Sequence, residues 1–264
     1  MITFAVTAYR EGQRGAFAWI KECLAAASAH PVVDEVLVYD DGSDDVTGLV
    51  AATLGTPRLR VVAGSQNLGV MGAKIEAVAR AANPWVLLCD SDNTMGPAYL
   101  DAVAALGALD PNTVYSPSFG RPSFDHRPVC GRWTLPDLPR LSAFPLFGCV
   151  VNIGNWLVNR DAFMDVVGWM RGARFDLRLP DYLGVGDRSD KKWRLVYDSF
   201  DSGFINTEWW RSGGAMEIVP GLEYDHRVKA ASGTESSWDR APLEKHRLAE
   251  VVTTELLREA RMAR

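Results

Sequence analysis

The stretch Trp85-Val86-Leu87-Leu88-Cys89-Asp90-Ser91-Asp92 decides the fold. Five apolar residues without alternation read as a strand buried on both faces, which is the habit of a parallel sheet covered by helices. The run ends abruptly in two carboxylates at i and i+2. Upstream, Ile2–Thr7 and Val32–Tyr39 have the same shape and also stop at polar clusters, Thr7-Ala8-Tyr9-Arg10 and Asp40-Asp41-Gly42-Ser43-Asp44-Asp45. Leu59–Ala63 is a further short strand. Between them Phe17, Ile20 and Leu24 recur at helical spacing within residues 14–29, a helix follows Asp45 to about Leu54, and Gln66-Asn67-Leu68-Gly69 leads into a helix over Met71–Ala82. Strand and helix alternate, so the chain is an α/β protein with a mostly parallel twisted sheet and helices on both faces. In such sheets ligands bind outside the carboxyl ends of the strands, where the three polar clusters fall.

The second half is less regular. The pattern predicts helices over Tyr99–Leu109, Arg160–Val167 and Phe204–Arg211, the last ended by Gly213-Gly214, and strands at Thr113–Pro117 and Met216–Val219. Five prolines between Phe119 and Leu146 predict a long loop. Leu248, Val251, Val252 and Leu256 place an apolar stripe on a C-terminal helix. A net charge of −5 over 264 residues argues against a nucleic-acid surface. No apolar run approaches the ~20 residues of a membrane span, and the N-terminal apolar run lacks a basic flank. The four cysteines show no metal or disulfide spacing and read as reduced thiols of a cytoplasmic protein.

Several residues could carry chemistry. Asp90 and Asp92 can share a hard divalent cation that in turn holds a diphosphate; a solvated acidic turn is the plain alternative. Asp40 and Asp41 can accept hydrogen bonds from a base or a ribose, while Ser43 or Asp44 capping the next helix explains the same polarity. Asn67, Gly69 and Lys74 lie at a helix start, where phosphates bind, although a surface lysine is the simpler account of Lys74. His226 can complete a metal site begun by Asp92. Trp209 and Trp210 offer indole faces for a sugar, with core packing expected of one of them.

Taken in order, Val6-Thr7-Ala8-Tyr9, Val38-Tyr39-Asp40-Asp41-Gly42-Ser43, Asn67-Leu68-Gly69 with Ala73 and Ala77, Leu87-Leu88-Cys89-Asp90-Ser91-Asp92 and Arg160-Asp161-Ala162-Phe163 resemble the inverting nucleotide-sugar glycosyltransferases of family 2. Trp210-Arg211-Ser212-Gly213-Gly214-Ala215-Met216-Glu217-Ile218-Val219-Pro220, followed by His226, is similar to a segment of the polypeptide N-acetylgalactosaminyltransferases. The resemblance implies a Rossmann-like GT-A domain over residues 1–240, with a nucleotide half (1–95) and an acceptor half (96–240), and a helical extension over 241–264. It implies nucleotide contacts from Thr7, Ala8, Tyr9, Arg10, Asp40, Asp41, Asn67, Lys74, Asp90 and Ser91. Asp92, His226 and Asp90 would ligate Mn²⁺ or Mg²⁺. Asp201 would be the general base, with the cap of the following helix as its alternative role and Asp187 or Asp190 as alternative bases. Trp209, Trp210 and Asn155 would face sugar or acceptor, and the segments 119–146 and 171–197 would recognise the acceptor.

The implied activity is metal-dependent transfer of a sugar from a nucleoside-diphosphate donor, UDP by family habit, to a hydroxyl of a glycan or glycoconjugate. Nucleic acid is not an expected partner. Peripheral membrane contact and a homodimer stay open. Three other readings compete: a haloacid-dehalogenase-like phosphatase with Asp90 as nucleophile and Asp92 as acid/base; a sugar-1-phosphate nucleotidyltransferase, which would need a Gly-rich segment where Thr7-Ala8-Tyr9-Arg10-Glu11 stands; and a non-catalytic sugar-nucleotide-binding protein.

Overall fold

The computed structural model describes residues 1–9, 17–43, 58–169, 201–227 and 242–263. One ten-stranded sheet runs through it. Strands β1 (Ile2–Ala8), β2 (Val33–Asp40), β3 (Leu59–Ala63) and β4 (Trp85–Asp90) form a parallel block in the order β3-β2-β1-β4. Its register is set by side-chain alternation. Phe4, Val6, Val36 and Val38 pack on one face with Ile20, Cys23, Leu24 and Ala27 of helix α1 (Phe17–Ala29). Ala5, Leu37, Tyr39 and Leu88 pack on the other with Met71, Ile75 and Val78 of α2 (Gly69–Arg80). A slip of one residue would exchange the two faces, so the burial on both sides fixes the pairing. Thr7 then lies opposite Asp90 and Ala8 opposite Asp40, which brings three strand tips level at one edge.

Beyond β4 the order continues β9-β6-β10-β5. Here β9 (Leu157–Asn159) is antiparallel to both β4 and β6 (Thr113–Arg121), β10 (Ala215–His226) runs parallel to β6, and β5 (Asn93–Thr94) is antiparallel to β10. Several elements differ in extent from the sequence expectation: β6 runs past Pro117 to Arg121, and two more are instructive. Helix α3 is Pro97–Ala104, shorter than 99–109, with a proline in its first turn. Strand β10 does not stop at Val219: a register shift between Val219 and Glu223 absorbs Pro220-Gly221, and the strand goes on to His226. Pro and Gly are ordinary strand terminators, and a bulge is where a strand tolerates them.

The predicted 119–146 loop is instead largely structured. It holds the end of β6, β7 (Phe124–Asp125), β8 (Gly131–Thr134) and the short helix α4 (Leu138–Leu141), with α5 (Phe147–Val151) following. Pro128, Pro136 and Pro139 occupy first-turn positions of short helical turns, where the missing N–H costs nothing. Helix α6 (Arg160–Trp169) follows β9. Helix α7 (Asp201–Arg211) crosses the back of the sheet, and the C-terminal helix α8 (Pro242–Met262) packs Val252, Leu256 and Ala260 into the same core, pinned by Glu259 on Arg211 at 2.7 Å. Among the described residues no helix is long and apolar enough to cross a membrane. The expected helix to Leu54 and the 171–197 segment lie outside the described residues. All four cysteines are free; Cys23 and Cys89 meet at 3.5 Å, and burial raises the Cys89 thiol well above its ordinary range.

Candidate active site at the strand tips

Asp40 and Asp41 end β2 and are both buried, and their carboxylates organise the rim. Oδ1 of Asp40 accepts the backbone N–H of Ser43 at 3.0 Å and also its hydroxyl. Oδ1 and Oδ2 of Asp41 accept the N–H groups of Leu68 at 2.8 Å and Gly69 at 3.0 Å, the first donors of α2. A carboxylate there also complements the helix dipole. Gly42 has φ +79°, and a Cβ on it would stand 2.8 Å from the Gln66 carbonyl carbon, so the two loops close only around glycine. Within its own loop, Asn67 Oδ1 accepts from Gly69 N at 3.0 Å.

Lys74 overturns the surface-lysine reading. It is 3% exposed, and its Nζ lies 3.4 Å from Oδ1 of Asp90 and 3.3 Å from Oγ of Ser202. The ammonium also sits 5.9 Å from the centroid of the Trp156 ring. The pattern carried the signal: Lys74 falls three residues after Met71 and four before Val78, on the buried stripe of α2.

Asn155 lies beneath the site and does not face a sugar. It is 3% exposed; its Oδ1 accepts from Asp90 N at 2.8 Å and its Nδ2 donates to the Tyr224 hydroxyl at 3.0 Å. It therefore ties the tip of β4 to β10 two residues before His226. Tyr224 was not anticipated, although the alternation Leu222, Tyr224, His226 would have placed it on the same strand face as His226. Burial pushes the Tyr224 phenol far up, so it stays a neutral partner.

His226 pairs in register with Asn93, the residue after Asp92. Asp92, in the turn between β4 and β5, thus immediately precedes the backbone position that pairs with His226. Nδ1 of His226 is hydrogen-bonded to the Ser123 hydroxyl. Beside them Asn93 Oδ1 and Thr94 Oγ1 are buried without a hydrogen-bond partner among the described residues, and polar oxygens in such a place want a ligand or water. A carboxylate oxygen and an imidazole nitrogen suit Mn²⁺ or Mg²⁺ when phosphates and water fill the other positions. Among the described residues no group of three or more His, Cys, Asp or Glu is gathered closely enough to hold a metal ion by itself. Asp90, also expected as a ligand, lies beside Lys74 and accepts from Asn93 Nδ2 at 3.5 Å.

Trp209 and Trp210 are both core residues, 2% and 1% exposed. Their indole N–H groups donate to the carbonyls of Asn112 at 3.0 Å and Trp133 at 3.1 Å. Helix α7 is covered on opposite sides, by the sheet and by α8, so adjacent positions are both buried. Neither ring is presented to a sugar. Thr7 and Tyr9 are half-buried at the rim, Ala8 is buried, and Ser91 is buried between the half-buried Asp90 and Asp92. Asp201 begins α7; its side chain, together with Arg10, Asp187 and Asp190, lies outside the described residues.

Known proteins resemble this chain in sequence and in shape. Residues 3–165 match the model of Glycosyl transferase family 2. Succinoglycan biosynthesis protein ExoO of Rhizobium meliloti (strain 1021) is 33% identical over 116 residues, 41% of this chain and 32% of that protein, so the chain spans about a third of that relative's length. Among solved structures, S. aureus TarS 1-349 in complex with UDP-GlcNAc superposes with a TM-score of 0.60 at 15% identity, covering 98% of this chain and 71% of that one. GalNAc-T7 with UDP, GalNAc and Mn²⁺ gives 0.58 at 12% identity, over 97% and 48%. At such identities the likeness is one of fold. The phosphatase reading falls with these matches: by its family model this chain belongs to glycosyl transferase family 2, and it has the GT-A fold of these neighbours.

Proposed function

We propose that this chain moves a sugar, with inversion, from a UDP-linked donor to a hydroxyl of a growing polysaccharide. The observation that carries the reading is the meeting of the β1, β4 and β10 tips, with Thr7 opposite Asp90 and His226 opposite Asn93. It is supported by the relative in succinoglycan biosynthesis and by neighbours of like fold that hold UDP-GlcNAc, or UDP with Mn²⁺.

Thr7, Ala8, Tyr9 and Ser91 line the nucleoside end in this reading, with Arg10 beyond β1. Asp41 and Asn67 shape that end by holding the 66–69 loop, and Asp40 by holding Ser43. Asp92 and His226 would hold Mn²⁺ or Mg²⁺, whose positive charge stabilises the departing diphosphate when bound. Asp201 takes the proton from the acceptor hydroxyl as its oxygen attacks the anomeric carbon and the bond to the diphosphate breaks. The acceptor enters over the 119–146 segment.

The test is a panel of UDP-sugars with Mn²⁺, read as UDP release with and without oligosaccharide acceptors. Turnover with one donor, reduced about a hundredfold or more in Asp201→Asn with UDP affinity kept, supports both the activity and the base. UDP release that Asp201→Asn leaves unchanged removes Asp201 from that role.

A further inference from the structure

We propose that Lys74 is a positioning residue whose buried ammonium ties Asp90, on the donor side, to the first turn of α7, so that filling the donor site sets the helix that begins at Asp201. The proposal rests on the donor-site reading above. Its geometry is a three-residue chain, Asp90 Oδ1 to Lys74 Nζ at 3.4 Å and Lys74 Nζ to Ser202 Oγ at 3.3 Å, joining residues of β4, α2 and α7.

The two ends of the chain differ in exposure. The Lys74 side chain is 4% exposed, so water cannot substitute for either partner, whereas the Asp90 side chain is 34% exposed and is the end a ligand reaches. An ammonium beside the N-terminus of an eleven-residue helix is unfavourable by the helix dipole. Asp90 is one charge that offsets that repulsion. A change in the charge Asp90 faces is therefore felt by α7 through Lys74, in a low-dielectric setting where such links are strong.

Gly154 supplies an independent sign that the contact is built. A Cβ there would lie 2.2 Å from Ser202 Oγ and 2.5 Å from Lys74 Nζ, so the approach requires glycine at this point. Helix α7 does not depend on Lys74 to form. Gly203 N donates to Asn152 Oδ1 at 3.0 Å, and Asn206 Nδ2 donates to the carbonyls of Val151 at 2.8 Å and Ile153 at 2.9 Å. Removing the Ser202 hydroxyl thus leaves a folded helix that has lost its link to Asp90.

The experiment is hydrogen exchange of residues 201–211 with UDP and Mn²⁺ as the probe, beside calorimetric UDP binding. The wild-type chain should show exchange over the first turns slowed about tenfold by UDP, equal to about 1.4 kcal/mol. Ser202→Ala should bind UDP within about threefold of wild type, below 1 kcal/mol, and lose that slowing. Lys74→Met should also lose it, and Lys74→Arg should restore part of it. Slowing that persists in both Ser202→Ala and Lys74→Met, or wild-type exchange unchanged at saturating UDP, overturns the coupling alone. Absence of UDP binding in the wild-type chain overturns the donor-site reading and this proposal together, and calorimetry distinguishes the two.

Discussion

The ammonium of Lys74 stands 3.4 Å from Oδ1 of Asp90, and the lysine is almost wholly enclosed by the core that α2 makes with the sheet. Removing one member of an enclosed ion pair leaves the other uncompensated, at a cost that falls as exposure rises. Asp90→Asn should lower stability by about 2 kcal/mol, less than for a fully buried pair because Asp90 is partly open to solvent. Lys74→Met combined with Asp90→Asn should cost less than the two singles summed. Urea unfolding of the four chains checks this, and additive losses would mean the groups do not interact.

Asn155 fills a buried gap between β4 and β10 with one acceptor and one donor, both used. Asn155→Leu strands the Asp90 N–H and the Tyr224 hydroxyl and should cost about 2 kcal/mol or more. Because the same contacts set the spacing of Asp90 and His226, UDP affinity in Mn²⁺ should fall about tenfold while UDP affinity without metal changes little. Equal losses in both conditions would separate Asn155 from the metal side of the site.

The two indoles of α7 should behave as core. Trp209→Ala and Trp210→Ala should each destabilise the chain by about 3–5 kcal/mol, as truncation of a buried tryptophan does. In thermal melts both variants should unfold earlier without a selective change in acceptor KM. A variant of normal stability with a raised acceptor KM would put that ring back at the sugar.

His126 is fully buried, stacked on Phe124 at 4.4 Å and edge-on to Phe144. Burial lowers its pKa from the ordinary 6.5 to about 4. The unfolded chain therefore takes up a proton near pH 6.5 while the folded chain does so only near pH 4, and stability is lost as pH falls through that window. The loss is on the order of 3 kcal/mol at its full extent. His126→Phe should flatten the pH dependence of urea unfolding between pH 7 and 4.5; an unchanged slope would show that other groups carry it.

The parallel block was legible because its signals were local: apolar strands of four to eight residues, helical periodicity between them, and polar tips at Asp40 and Asp90. Lys74 was legible in pattern, since it lies on the apolar stripe of α2, but one residue's chemistry outweighed its position. Strand β10 was cut short because Pro220 and Gly221 are terminators everywhere except at a bulge, and the bulge is fixed by pairing to β6, which is long-range information. The prolines of 119–146 misled for a related reason, as they begin helical turns whose existence depends on packing against β8 and α8. Trp209 and Trp210 are adjacent, and only a helix covered on two sides buries both, which no local pattern states. Asn155 and Tyr224 find each other across 69 residues.

Asp92 and His226, in the function proposed above, grip one cation that holds the leaving diphosphate. Calorimetric titration of UDP with and without Mn²⁺, in the wild-type chain, Asp92→Asn and His226→Ala, addresses it directly. UDP should bind the wild-type chain at least about tenfold more tightly with Mn²⁺, and both substitutions should abolish the gain. Binding that ignores the metal, or a metal-dependent gain that survives both substitutions, would contradict it.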